Sequence, residues 1–182
     1  MILKIDDPRC FSESVKALKN KKIVILPTDT IYGFSGVVPE TKQKILKIKK
    51  SVAEKKMIRL IAKPEDIYKF TDQIIPSPFF SLWPAALTLI VLAKNSSSKI
   101  AFRCPSNKWL RDLIEAVGVP IFSSSVNLSG SENLKTIPKI AKVFERKVKL
   151  IVDAGELTGL ASTVVDLTLD QPMILRRGSV EI

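Results

Sequence analysis

Three short polar clusters carry the residue types from which a small-molecule site could be built. Thr28-Asp29-Thr30 follows the apolar run Ile23 to Leu26, Ser125-Val126-Asn127 follows Val119 to Phe122, and Ser162 opens the stretch Thr163 to Leu167. Arg103 and Arg176 end two further apolar runs, just before Pro105 and Gly178. A guanidinium at a strand end offers a planar fork to a carboxylate or phosphate. Small hydroxyl residues beside it let backbone amides approach an anion. Taken singly, each cluster has a plainer reading: Ser and Asn are ordinary turn residues, and a lone arginine is more often a surface ion pair. The chain has no histidine, which removes Ser-His triads, histidine metal sites and imidazole acid–base chemistry together. Catalysis would have to use Lys, Arg, hydroxyls, carboxylates, backbone amides or a bound metal. Asp29 is the carboxylate closest to hand, and its expected part is to accept from nearby amides rather than to act as a base. Neither GxGxxG nor GxxxxGK[ST] occurs, so the common dinucleotide and NTPase folds are disfavoured.

The elements that must position these groups alternate between strands and helices. Pro27 cannot continue the ladder of Lys22–Leu26, so the chain is expected to leave the sheet there, presenting two hydroxyls, a carboxylate and the Tyr32 phenol, with Gly33 allowing a close turn. Helices are expected over 11–20, 39–50 (with Pro39 in the first turn), 65–70, 106–117 and 137–147. Ser106 is the expected cap of the fourth and Gly118 its stop. Further strands are expected over 57–62, 87–93, 100–103, 119–122, 150–152, 163–167 and 173–176. The mixture of βα and ββ steps argues for a single-domain α/β fold over 1–182, a twisted mixed β-sheet with flanking helices. Polar clusters at strand ends are where such a sheet usually carries its ligand.

Composition bounds the partners. The net charge of +11 (29 Lys+Arg against 18 Asp+Glu) favours nucleotides, RNA or phosphorylated metabolites, although a lysine-rich solvated surface explains it equally well. Cys10 and Cys104 lie far apart without a CxxC, so neither zinc nor a disulfide framework is suggested, and a cytoplasmic setting fits. No basic leader opens the chain, and the longest apolar run, near Ala85 to Ala93, is too short to span a bilayer; no membrane partner is expected.

The ordered series PTDTIYGF (27–34), IKKSVAEKKMIRLI (48–61), WPAALTLIV (83–91), IAFRCP (100–105), PIFSSSVNLSG (120–130), ASTVVDL (161–167) and ILRRGSV (174–180) resembles the YrdC-like family along nearly the whole chain. The resemblance implies a single-domain form with a basic concave cleft. It also implies a reaction joining L-threonine, bicarbonate or CO2, and ATP into threonylcarbamoyl-adenylate with release of pyrophosphate. ATP is then a substrate, with Mg²⁺ held mainly by its phosphates. The product would serve modification of adenosine 37 of tRNA through a threonylcarbamoyl-transferase complex, and tRNA or double-stranded RNA is a further partner. By position, Thr30, Arg103, Ser125 and Ser162 would bind threonine. Lys49, Ser51, Lys55, Asn127 and Arg176 would face the nucleotide, with Lys49 and Lys55 the catalytic cations; no residue is a metal ligand. The family's Lys-x-Arg falls on Lys49 and Ser51, and its following histidine on Leu60, so one phosphate-facing guanidinium is missing here. Arg59 is a nearby substitute if it faces the cleft. The alternative reading is a YrdC-like protein that binds RNA or a nucleotide without making the adenylate.

Overall fold

The computed structural model describes residues 1–51 and 57–182. Among them run, in chain order, β1 (Ile2–Lys4), α1 (Cys10–Lys19), β2 (Val24–Leu26), β3 (Gly33–Val37), α2 (Lys42–Ile48), β4 (Ile58–Leu60), α3 (Ser77–Phe80), β5 (Leu87–Leu92) and β6 (Lys99–Arg103). There follow α4 (Lys108–Val117), β7 (Ile121–Ser125), α5 (Ile137–Phe144), β8 (Leu150–Asp153), β9 (Thr163–Asp166) and β10 (Met173–Arg176). Two 3-10 turns, Pro64–Lys69 and Glu145–Lys147, complete the described elements. The strands form one sheet in the order β1-β8-β2-β3-β7-β4-β6-β5-β9-β10; its mixed character is the one the sequence anticipates, while β1 and β3 are strands it does not mark.

The pleat sorts the sheet into two faces. On one, α1 and α4 pack over the first six strands in that order. Leu3, Val24, Leu26, Val37, Leu60, Ile121, Leu150 and Val152 meet Ala17, Leu18, Leu110, Leu113, Ile114 and Val117. The apolar stripe of α4 makes this possible, each such side chain contributing about 1.5–3 kcal/mol by burial. On the other face α2 and α5 bury Ile45, Ile140 and Phe144 against Ile25, Phe34 and Phe122. A further cluster gathers Leu87, Leu89, Val91, Phe102 and Val165 under Trp83 and Ile67.

Local expectations fail in instructive places. The cap of α4 is Asn107, whose side chain accepts from Leu110 N at 3.0 Å; Ser106 is drawn instead to Asp29. Gly118 does stop that helix, at φ +87°. The second helix starts at Lys42, after Pro39. Gly33 makes no turn: it begins β3 and pairs with Leu26 and Ser125. A Cβ there would stand 2.7 Å from Ser123 Oγ, so any larger residue would have to displace that hydroxyl. The Tyr32 hydroxyl is engaged by the chain itself, although the residue is among those lining the cavity described below. Tyr32 is buried, its hydroxyl donating to Gly155 O at 2.7 Å and accepting from Ala154 N at 3.0 Å. No helix among the described residues is long and apolar enough to cross a membrane.

Candidate functional site

Past β4, the sheet face that α1 and α4 cover elsewhere changes character. Leu89 pairs with Phe102, and Thr88 with Val164; the odd positions of β5 enter the core, while Thr88 shares the opposite face with Arg103 and Ser162. Arg176 joins them through a bulge. Ile174 pairs with Val165 and Arg176, not Leu175, pairs with Val164. The extra residue turns Arg176 onto the Ser162 face, which regular alternation would have denied it. Its Nε donates to Ser162 O at 2.9 Å and its Nη2 to Ser162 Oγ at 3.1 Å. Ser162 Oγ also lies 2.8 Å from Thr88 Oγ1. Thr88, absent from the sequence expectations, fixes Ser162; its alternation within an apolar strand was the signal.

Arg103 is the centre of this set. It is 3% exposed, donates from Nη1 to Thr30 Oγ1 at 3.2 Å, and holds Nη2 3.5 Å from Asp29 Oδ1. Burial lowers its pKa, Asp29 opposes that shift and Arg176 adds to it. Its Nε is buried with no hydrogen-bond partner among the described residues, a donor held ready for an acceptor that enters the cavity. Thr30 is oriented by Thr28: the Thr28 hydroxyl donates to Ile31 O at 2.7 Å, so the contact of 2.9 Å between the two hydroxyls has Thr30 as donor. Asp29 accepts from Ser106 N at 3.0 Å and from Ser106 Oγ at 3.3 Å, the amide-accepting part its sequence position implies.

These groups line a cavity of about 210 Å³ that includes Thr30, Arg103, Ser123, Ser125, Ser162 and Arg176. A second cavity of about 110 Å³ continues from it, sharing Met57, Ser124 and Ser125 and adding Lys49, Ser51, Asn127 and Ser129. No Asp or Glu is among the described lining residues of either. All the predicted site residues therefore converge except Lys55, which lies outside the described residues. Arg59 does not join them: half-buried, it lies over the Phe102 ring with 5.8 Å from Cζ to the centroid, and burial lowers its pKa. Leu60 is core.

Lys49 and Asn127 are tied together more closely than their separation in sequence suggests. Lys49 is 6% exposed; its Nζ donates to Ser125 O, to Asn127 O at 3.2 Å and to Asn127 Oδ1 at 2.8 Å. Asn127 Oδ1 also accepts from Ser125 Oγ at 2.7 Å, while Nδ2 donates to Leu128 O and Ser131 O. The Asn127 amide is thus fully occupied in shaping its own loop. Lys49 delivers fixed positive charge and loop geometry, with its three protons already directed at acceptors. As for a metal, no group of three or more His, Cys, Asp or Glu among the described residues could hold one, and Asp29 is engaged by Arg103 and Ser106. Among the described residues, the cavity lining offers no carboxylate cluster that would fit a protein-held metal.

The fold and the cavities define a mixed-sheet α/β protein with a cavity lined by hydroxyls and arginines at its strand ends. The Sua5/YciO/YrdC family model, described as telomere recombination, matches residues 16–178, and the chain belongs to that family. It is 29% identical over 196 residues to threonylcarbamoyl-AMP synthase of Bacillus subtilis, covering 98% of this chain and 56% of that protein. To the uncharacterized protein YciO of Escherichia coli K12 it is 26% identical over 189 residues, covering 95% and 92%. The crystal structure of Pyrococcus abyssi Sua5 complexed with L-threonine superposes with a TM-score of 0.88 at 27% identity, over 98% of this chain and 57% of that one. The chain spans about half the length of these two longer relatives.

Proposed function

We propose that this protein is a threonylcarbamoyl-AMP synthase: L-threonine, bicarbonate and ATP give threonylcarbamoyl-AMP, pyrophosphate and water. The observation that carries the reading is Arg103, a buried guanidinium with an unpartnered Nε at the floor of a cavity walled by Thr30, Ser125 and Ser162. That combination suits an amino acid bearing a carboxylate and a hydroxyl, and a neighbour at TM-score 0.88 is described as complexed with L-threonine.

Arg103 takes the threonine carboxylate, and the hydroxyls of Thr30 and Ser162 orient the substrate beside it. The threonine amine, once deprotonated, adds to CO2 derived from bicarbonate by loss of water. A carbamate oxygen then attacks the α-phosphorus of ATP, and the bond to the β-phosphate bridging oxygen breaks, releasing pyrophosphate. This step needs in-line placement and neutralisation of developing charge more than covalent help. Arg176 and the fixed charge of Lys49 supply that neutralisation; the resemblance gives Lys55, outside the described residues, the same chemical part. Ser51 and the Asn127 loop border the nucleotide. The single domain, cytoplasmic location, Mg²⁺ accompanying ATP, and use of the product on tRNA through a transferase complex belong to the same reading.

Purified protein incubated with threonine, bicarbonate and Mg-ATP should release pyrophosphate above a control lacking threonine; release equal to that control refutes the synthase. One observation favours a second reading, nucleotide or RNA binding without adenylate formation: Ser51 stands at the smaller cavity where the family motif has arginine. Ser51→Arg separates the two. A restored guanidinium contributes about 1.5–3 kcal/mol and should raise the rate roughly 10- to 150-fold in the synthase. It should create no pyrophosphate release in a pure binding protein.

A further inference from the structure

Besides the Tyr32 phenol, the hydroxyls that line the larger cavity belong to Thr30, Ser123, Ser124, Ser125 and Ser162. Three of them are already committed. Thr30 donates to Thr28 and accepts from Arg103 Nη1. Ser125 donates to Asn127 Oδ1 at 2.7 Å. Ser162 accepts from Arg176 Nη2 and meets Thr88 Oγ1. Ser123 and Ser124 form no side-chain hydrogen bond among the described residues. These two differ in facing. Ser124 shares its side of the pleat with Phe122, under α2 and α5, whereas Ser123 shares the other side with Ile121 and Ser125. Ser123 is 9% exposed. A hydroxyl this deep with no partner in the chain is a donor available to an acceptor that enters the cavity.

Strand register fixes where this hydroxyl stands. Arg103 shares a row with Leu60 and Ile121, and Ser123 shares the next row with Ile58 and Ala101. Gly33 and Ser125 form the row after that. Rows on one face of a sheet are two residues, about 6.5 Å, apart. Ser123 therefore lies on the cavity floor, one row from Arg103 on one side and one row from Ser125 on the other. Its Oγ sits 2.7 Å from the place a Gly33 Cβ would take, so the hydroxyl leans toward the Ser125 row, where Lys49 is bonded. No Asp or Glu is among the described lining residues, so an anion resting over Ser123 meets no carboxylate there.

We propose, on the synthase reading above, that Ser123 binds the carboxylate that CO2 adds to the threonine amine. In threonylcarbamoyl-AMP the carbamate is the link between the amino acid and the α-phosphate. With the threonine carboxylate on Arg103 and the nucleotide at the Ser125 end, that link falls over the row of Ser123. The amine nitrogen bonds the carbon of CO2, a C=O electron pair moves onto oxygen, and an amine proton leaves to solvent. Ser123 keeps its own proton and donates a hydrogen bond to one carbamate oxygen. The other oxygen stays free to attack the α-phosphorus. A hydroxyl bonded to an ionised acceptor is stronger than a neutral pair, so Ser123 holds the CO2-derived group by a contact that threonine alone does not use.

The test is calorimetric titration of threonine into the wild type and Ser123→Ala, in sealed cells at fixed pH and ionic strength, with bicarbonate or with chloride in its place. Bicarbonate should tighten threonine binding to the wild type by about 10-fold or more, the worth of one hydrogen bond to a charged group. Ser123→Ala should lose that enhancement. In chloride it should bind threonine within about twofold of the wild type, and it should melt within about 2 °C of it, because no bond inside the protein is removed. An equal bicarbonate effect in the two proteins would overturn the assignment, as would its absence from the wild type. Weaker threonine binding by the variant in chloride would place Ser123 on the amino acid itself and overturn it too. Pyrophosphate release from Mg-ATP, followed against bicarbonate concentration, separates this contact from the reaction. Release by the wild type with an unchanged bicarbonate KM in Ser123→Ala refutes Ser123 and leaves the synthase. A Ser123-dependent bicarbonate effect without pyrophosphate release upholds Ser123 and removes the synthase.

Discussion

Replacing Arg103 by glutamine separates what this guanidinium does for the fold from what it does for a ligand. Arg103 is 3% exposed and the Asp29 side chain 5%. Removing one partner of a buried ion pair costs about 3–5 kcal/mol, because the other charge is left uncompensated. Here Asp29 keeps its two donors from Ser106, so the loss should fall near the lower end, about 3 kcal/mol. For a chain of this size that corresponds to roughly 6–12 °C in thermal midpoint. Adding Asp29→Asn removes the orphaned charge and should return most of the stability. It cannot return the ligand's partner: a carboxylate deprived of this charge-assisted contact loses about 1.5–3 kcal/mol, or about 10- to 150-fold in Kd. Calorimetric titration of threonine into the wild type, Asp29→Asn, Arg103→Gln and the double variant gives all four corners. A well-folded double variant that binds threonine within about threefold of wild type would refute Arg103 as the carboxylate site. Arg103→Gln melting at the wild-type temperature would refute the buried-pair argument.

Other outcomes follow from the same geometry. Thr88→Val keeps shape but removes the hydroxyl 2.8 Å from Ser162 Oγ; it should cost about 1 kcal/mol in denaturant unfolding and weaken threonine binding, with the Arg176 bond to the Ser162 carbonyl retained. A Cβ at Gly178 would stand 2.1 Å from Ala161 O and 2.5 Å from the Ser162 carbonyl carbon. Gly178→Ala should therefore destabilise by about 1–3 kcal/mol and displace Ser162, seen as a lower melting point together with weaker threonine binding. Burial pushes the Cys104 thiol up to about 12 from 9.0. Iodoacetamide at mildly alkaline pH should label it slowly in the native protein and rapidly in urea. Because the folded value lies above the unfolded one, its contribution to stability is complete below about pH 9 and declines as pH rises toward 12. Urea midpoints across that interval test the sign.

The sequence was most legible where one local rule governs an element. The apolar stripe and Gly118 define α4, and the continuous apolar run defines β5, because periodicity and backbone preference act over a few residues. It was least legible at β3, whose GFSGV carries two glycines and reads as a turn. The Ser123 hydroxyl occupies the space a Cβ would take there, and that contact appears only when β7 is alongside. Ser106 misled for a similar reason: its cap-like type serves Asp29, 77 residues away. By sequence position Lys49 and Asn127 face the nucleotide. Their mutual hydrogen bonds make them first the braces of a loop.

By itself the sequence determined the mixed α/β class, the histidine-free chemistry and the inventory of hydroxyls and cations, since residue type and short-range order set these. Tertiary structure decided which of them meet. The pleat and the bulge beside Arg176 put Thr88, Ser162, Arg103 and Arg176 on one face, because facing is set by strand register rather than by residue type. The same register set Ser123 in the row between Arg103 and Ser125. A composition is a sum; only the fold assigns its members a place.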